Sequence, residues 1–128
     1  MQQRSEQEAE HRQSPRLKLP PMYTLIRVRP HGHHKFCWTG HIYDISASGL
    51  RFELDAAVEP GTCIDVRATL PGAYSTTVSV SGHVVRNHDE PDELGPQRMG
   101  MTFDSFTHPV DCRRLANYLN HSGLQQAA

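Results

Sequence analysis

The chain has little that would tie it to a membrane, to nucleic acid or to disulfide chemistry. No apolar run approaches the roughly 18 residues that a bilayer-spanning helix needs. The opening Met1-Gln2-Gln3-Arg4-Ser5-Glu6 lacks the basic and apolar regions of a signal peptide, so a soluble, cytoplasmic protein is expected, without membrane insertion. Thirteen Lys and Arg stand against 14 Asp and Glu, for a net charge of −1. A broad surface for DNA, RNA or anionic lipid is therefore not expected, and any anion site must be local. Cysteine is scarce: Cys37, Cys63 and Cys112 are odd in number and far apart, with no Cys-x-x-Cys spacing for zinc or a redox pair. They read as reduced thiols filling small gaps in an apolar core. Also missing are a Gly-x-Ser-x-Gly elbow, a His-Glu-x-x-His helix and a phosphate-binding glycine loop. No catalytic residue, metal or cofactor is assigned, and the chain does not read as an enzyme.

What is present suits one small domain with a real core, since 128 residues at 37% hydrophobic leave little room for a second. Residues 1–10 are polar with no apolar face and are expected to form a flexible N-terminal tail. Leu17-Lys18-Leu19-Pro20-Pro21 is an extended lead-in, because its prolines exclude helix. The stretch 22–29, dense in β-branched and aromatic residues and stopped by Pro30, reads as the first strand. A hairpin loop at 31–35 returns the chain along 36–44, with Trp38 expected in the core. Ile42 and Ile45 lie three apart and cannot share a face in a regular strand. A bulge is therefore expected near Asp44, re-aiming its carboxylate outward.

Leu50, Phe52 and Leu54, and then Ile64, Val66, Ala68 and Leu70, alternate with polar residues as half-buried antiparallel strands do. A fifth strand over 75–86 has Val78, Val80 and Val84 on one face and Gly82 at a bend. The acidic stretch 87–93 is a solvated loop before a sixth strand over 98–103. Pro109 and Asp111 suit a helix start, Val110, Leu115, Tyr118 and Leu119 make its apolar stripe, and Gly123 is a C-cap lying past its end. Short strands without strand–helix alternation predict an all-β fold. The expected architecture is a six-stranded antiparallel β-barrel, with one C-terminal α-helix over an open end or side. The domain is expected to span 11–121, with a second flexible tail at 122–128.

Two short motifs stand out on this frame. In Asp44-Ile45-Ser46-Ala47-Ser48-Gly49 a carboxylate and a hydroxyl two residues apart would share one face of a strand, before a turn that Gly49 closes at positive φ. The ordinary reading of such a hexapeptide is a hairpin. Upstream, in His11-Arg12-Gln13-Ser14-Pro15-Arg16, Pro15 disfavours a helical Ser14, so the segment should run extended. Arg12 and Arg16 would then stand up to about 13 Å apart, able to reach around opposite sides of one ligand. Each guanidinium is a planar fork suited to phosphate oxygens or to the O6/N7 edge of guanine.

An Arg-x-x-x-Arg pair followed, after a first strand, by Asp-x-Ser-x-x-Gly resembles the PilZ domain, the bacterial receptor module for cyclic di-GMP. Gly100-Met101-Thr102-Phe103 is similar to that family's Gly-x-x-Phe last strand. The resemblance implies a barrel of the split type with a helix, and a switch that signals to a partner protein. It further implies that Arg12 and Arg16 wrap the nucleotide while Asp44, Ser46 and Gly49 hold a second face of it. His11, Ser48 and Arg51 are accessory candidates. Binding would order the N-terminal segment onto the barrel. His11, preceded by Glu8 and Glu10, stands where many members carry further basic residues; weaker affinity, or one bound nucleotide in place of a stacked pair, would follow. The alternative is a PilZ-like domain that binds no nucleotide and serves protein–protein interaction. A metal site at His31, His33 and His34 is the other rival, but three imidazoles on one turn lack a fixed fourth ligand, which favours a solvated hairpin tip.

Overall fold

A computed structural model describes residues 15–72, 76–87 and 97–127. The elements run β1 (Leu17–Lys18), a 3₁₀ turn (Pro21–Tyr23), β2 (Leu25–Pro30), β3 (Trp38–Ile45), β4 (Gly49–Leu54), β5 (Cys63–Leu70), β6 (Thr76–Asn87), β7 (Gln97–Phe106) and α1 (Pro109–Ala127). The tail at 1–10, His11 and Arg12, and most of the acidic loop lie outside the described residues.

β2 to β7 close a ring in the order β3-β2-β5-β6-β7-β4, with β4 returning to β3 and every pairing antiparallel. Closure leaves these strands no long free edge. The alternation in the sequence explains the filling: Ile26, Val28, Ile42, Phe52, Leu54, Ile64, Val66 and Val84 point inward and are almost wholly buried. Gly82 stands where the β6–β7 register slips, at the expected bend. β1 is the additional strand. It takes up the edge of β3 that β2 has left, pairing Leu17 with Ile45 and Lys18 with Asp44. Leu17 and Leu19 are buried in the core, so the lead-in from Leu17 onward is anchored to the barrel.

α1 closes the end of the barrel at which β3 stops and β4 begins. It packs chiefly on β6, with lesser contacts to β1 and β7. Leu115 enters the core, Tyr118 Oη donates to Pro71 O at 2.6 Å, and Asp111 accepts the Ser79 N–H at 2.9 Å. The last bond gives Asp111 a second role beyond the helix dipole, because it satisfies a backbone N–H near the start of β6, just before the pairing with β7 begins. Among the described residues no helix is long and apolar enough to cross a membrane.

Several local expectations need correction. Met22 and Tyr23 are exposed in the 3₁₀ turn rather than in the first strand. Pro20 and Pro21 direct the chain into a turn whose carbonyls accept the Tyr23 and Thr24 N–H groups. The three cysteines are exposed and free, not core fillers. Cys63, for example, precedes the inward Ile64 and so falls on the outer face. Val110 is exposed in the first turn of α1, although its neighbour Asp111 is buried against β6. Gly123 lies inside the helix instead of past its end; glycine costs roughly 1 kcal/mol there but removes no hydrogen bond.

Candidate ligand-binding site

The site is built by the end of β3. Ile42 pairs with Phe52 and Asp44 with Arg51, leaving Tyr43 unmatched in the ladder. That extra residue lets Ile42 and Ile45 both face the core, and it puts Asp44 on the outer face with its cross-strand partner Arg51. The bulge thus turns the carboxylate outward, as expected from the spacing of the two isoleucines. It is nevertheless covered, with Asp44 only 8% exposed. Arg16 Nη1 donates to Asp44 Oδ1 at 2.9 Å, and Arg51 Nε stands 3.9 Å from Oδ2.

The Arg16–Asp44 contact follows from β1. With Lys18 opposite Asp44, the extended Pro15-Arg16 segment crosses the end of β3 and lays its guanidinium over the carboxylate. Two segments 28 residues apart are thereby brought to one place. The Arg16 side chain remains 49% exposed, which leaves much of its fork accessible.

Ser46 does not continue the strand face of Asp44, because β3 ends at Ile45. It is buried and shapes the turn: its N–H donates to Gly49 O at 2.8 Å, and its Oγ accepts the Ser48 N–H at 3.2 Å. Ser48 is exposed at the tip. Gly49 is required for a different reason from the one expected. Positive φ among the described residues occurs at Gly32, Gly61 and Gly72, not at Gly49. A Cβ on Gly49 would instead lie 2.3 Å from Met101 O, so the glycine permits β4 to approach β7 closely.

Beside Asp44 lies a trio that motif reading missed. Tyr43 Oη donates to Glu53 Oε1, and the Arg98 guanidinium sits 5.0 Å from the Tyr43 ring centre. Burial pushes the Tyr43 phenol above its usual range and the Glu53 carboxylate adds to this, while Arg98 opposes it. The phenol is therefore a firm donor at neutral pH. The available signal was the bulge itself, which puts adjacent residues 43 and 44 on one side of the sheet.

At the other end of the barrel Asp65 ties down the 31–35 loop. It accepts from Arg29 Nε at 3.0 Å, Ser81 Oγ at 2.8 Å and Gly32 N–H at 3.3 Å, and His31 Nδ1 lies 2.7 Å from Oδ1. Burial raises the Asp65 pKa, but the bonds from His31, Ser81, Arg29 and Gly32 outweigh it and hold the carboxyl down at about 2. Among the described residues no three His, Cys, Asp or Glu side chains converge as a metal site. His31 instead serves as a loop tether.

A family model described as "PilZ domain" matches residues 10–121. No curated protein sequence matches the chain. Solved structures share its fold at low identity. The Bacillus subtilis inhibitor of motility MotI/DgrA superposes with a TM-score of 0.69 at 17% identity, over 91% of this chain and 53% of that one. The PilZ domain of YcgR from Escherichia coli, solved with c-di-GMP, gives 0.65 at 14% identity, over 88% of this chain and 92% of that one. The K. pneumonia MrkH–c-di-GMP complex gives 0.66 at 18% identity, over 89% and 53%. The chain thus spans about half the length of the MotI/DgrA and MrkH chains.

Proposed function

The chain belongs to the PilZ domain family, and on that premise we propose that it is a cyclic di-GMP receptor module whose ligand settles on the outer wall at Asp44, under the Arg12–Arg16 segment. The observation that carries this reading is the 2.9 Å contact between Arg16 and Asp44, which joins the two motifs in one site. The YcgR domain and MrkH, both solved with c-di-GMP, support the choice of ligand.

The chemistry is a partner exchange. Guanine offers N1–H and its amino group to a carboxylate, and O6 and N7 to a guanidinium. In the free protein Asp44 and Arg16 satisfy each other. A guanine edge can take over the Asp44 acceptor while Arg16 turns its fork to O6/N7 or to phosphate, so neither charge is left bare. Arg12 is the second fork. Ser46 and Gly49 hold the turn beside the carboxylate, and Ser48, Arg51 and His11 stand as accessory contacts. β1, resting between β3 and α1, is the element through which the bound segment reaches the rest of the surface and a downstream partner.

Titration calorimetry against cyclic di-GMP, with GTP and cyclic GMP as controls, tests the reading. Saturable binding to the cyclic dinucleotide alone, weakening as salt rises, is expected. Equal response to all three, or no heat at millimolar ligand, would overturn it.

A further inference from the structure

The ring order places β2 and β5 across the barrel from β7 and β4. On the outer face of β2 and β5 Arg27 stands directly opposite Arg67, in a row flanked by Thr39 of β3 and Ser79 of β6. Both arginines are exposed. Like charges at facing positions, with Cβ atoms about 5 Å apart, disfavour the sheet. Among the described residues neither arginine has a carboxylate within 4 Å. The one carboxylate in the next outward row, Asp65, is already engaged by Arg29, His31 and Ser81. Arg67 is held in place by the Phe36 ring, 4.9 Å from its guanidinium carbon, and Arg29 lies 4.5 Å from the same ring. The result is two adjacent guanidiniums that, among the described residues, have no ion-pair partner, on a chain whose net charge is −1.

We propose that this wall is a docking surface for an acidic segment of a partner protein. Two forks side by side match carboxylates two residues apart on one edge of an extended segment, each fork taking one carboxylate in bidentate fashion. The neighbouring Thr39 and Ser79 hydroxyls can hydrogen-bond the segment's backbone, and Phe36 supplies an apolar margin. Nucleic acid is the poorer match, because it rewards a long line of cations rather than a single pair. The row meets β3 at Thr39, five residues before Asp44 and so roughly 16 Å from it along the strand, which leaves room for partner and nucleotide together.

The test uses the full chain and a fluorescent peptide of alternating glutamate and serine. Fluorescence anisotropy should show saturable binding that weakens with salt and falls roughly ten-fold or more in the Arg27→Gln/Arg67→Gln double variant. The melting temperature of that variant should be unchanged or higher, because a like-charge contact has been removed. Three results would overturn the proposal: no peptide binding by the wild type, equal binding by the variant, or a preference of these arginines for poly-uridine. Self-association of the wild-type chain that the double variant abolishes would assign the wall to a second copy instead and would likewise overturn it.

Discussion

At the scale of the residue, the side chains that matter are those whose polar atoms are covered yet paired. Asp65 has a folded pKa of about 2, below its ordinary 3.8. A depressed carboxyl contributes stability that is complete above the unfolded pKa and disappears as pH falls toward the folded one, here between about pH 5 and 2. That contribution is on the order of 2 kcal/mol. Asp65→Asn should therefore melt below the wild type at pH 7, and the gap should close as pH is lowered to 2; a gap independent of pH would contradict the assignment. Gly49 gives a second residue-scale expectation. With Met101 O 2.3 Å from any added Cβ, Gly49→Ala must push β4 from β7, at a cost of about 1–3 kcal/mol in a chemical denaturation curve. Unaltered stability would mean that this backbone approach is looser than described. The motif containing Gly49 was visible in the sequence, but its reason was not: contact across a barrel is a tertiary fact, and a local turn rule led instead to positive φ.

At the scale of the element, the alternating patterns of β4, β5 and β6 and the bulge in β3 were legible because one face of each strand is buried, which makes period two and its interruption visible. The 3₁₀ turn at Pro21–Tyr23 and the pairing of β1 were not. A two-residue strand is too short to show a period, and its pairing depends on an edge of β3 that exists only once β2 has left it. The helix stripe was partly legible: Leu115 is buried and Tyr118 and Leu119 pack on the core, but Val110 is exposed. Leu115 is thus the principal anchor of α1. Leu115→Ala should cost about 2–5 kcal/mol by the lost burial and the cavity left behind. Because α1 also touches β1, the same variant should exchange the Leu17 and Leu19 amides faster in hydrogen-exchange measurements. Protection of those amides equal to the wild type would show that β1 is held by β3 alone.

At the scale of the whole molecule, the two proposed sites lie at different heights on neighbouring strands of the closed ring. The end of β3 carries Asp44 with Arg16, the adjoining β2 and β5 carry the Arg27–Arg67 pair, and α1 seals the end near the first. The number of barrel strands and the terminal helix could be read from turn spacing, whereas the meeting of Arg16 with Asp44 was implied only by family resemblance. Composition alone cannot say which cation meets which carboxylate. Since Arg16 is half exposed, its ion pair adds little to stability, at most about 1 kcal/mol, and its removal should separate binding from folding. The most direct measurement is a side-by-side calorimetric titration of wild type and Arg16→Ala with cyclic di-GMP, each sample having first been shown to melt at the same temperature. A variant weaker by about 10- to 100-fold, as loss of charge-assisted bonds implies, is the predicted result. Equal affinity in the two proteins, or no binding by the wild type, would contradict it.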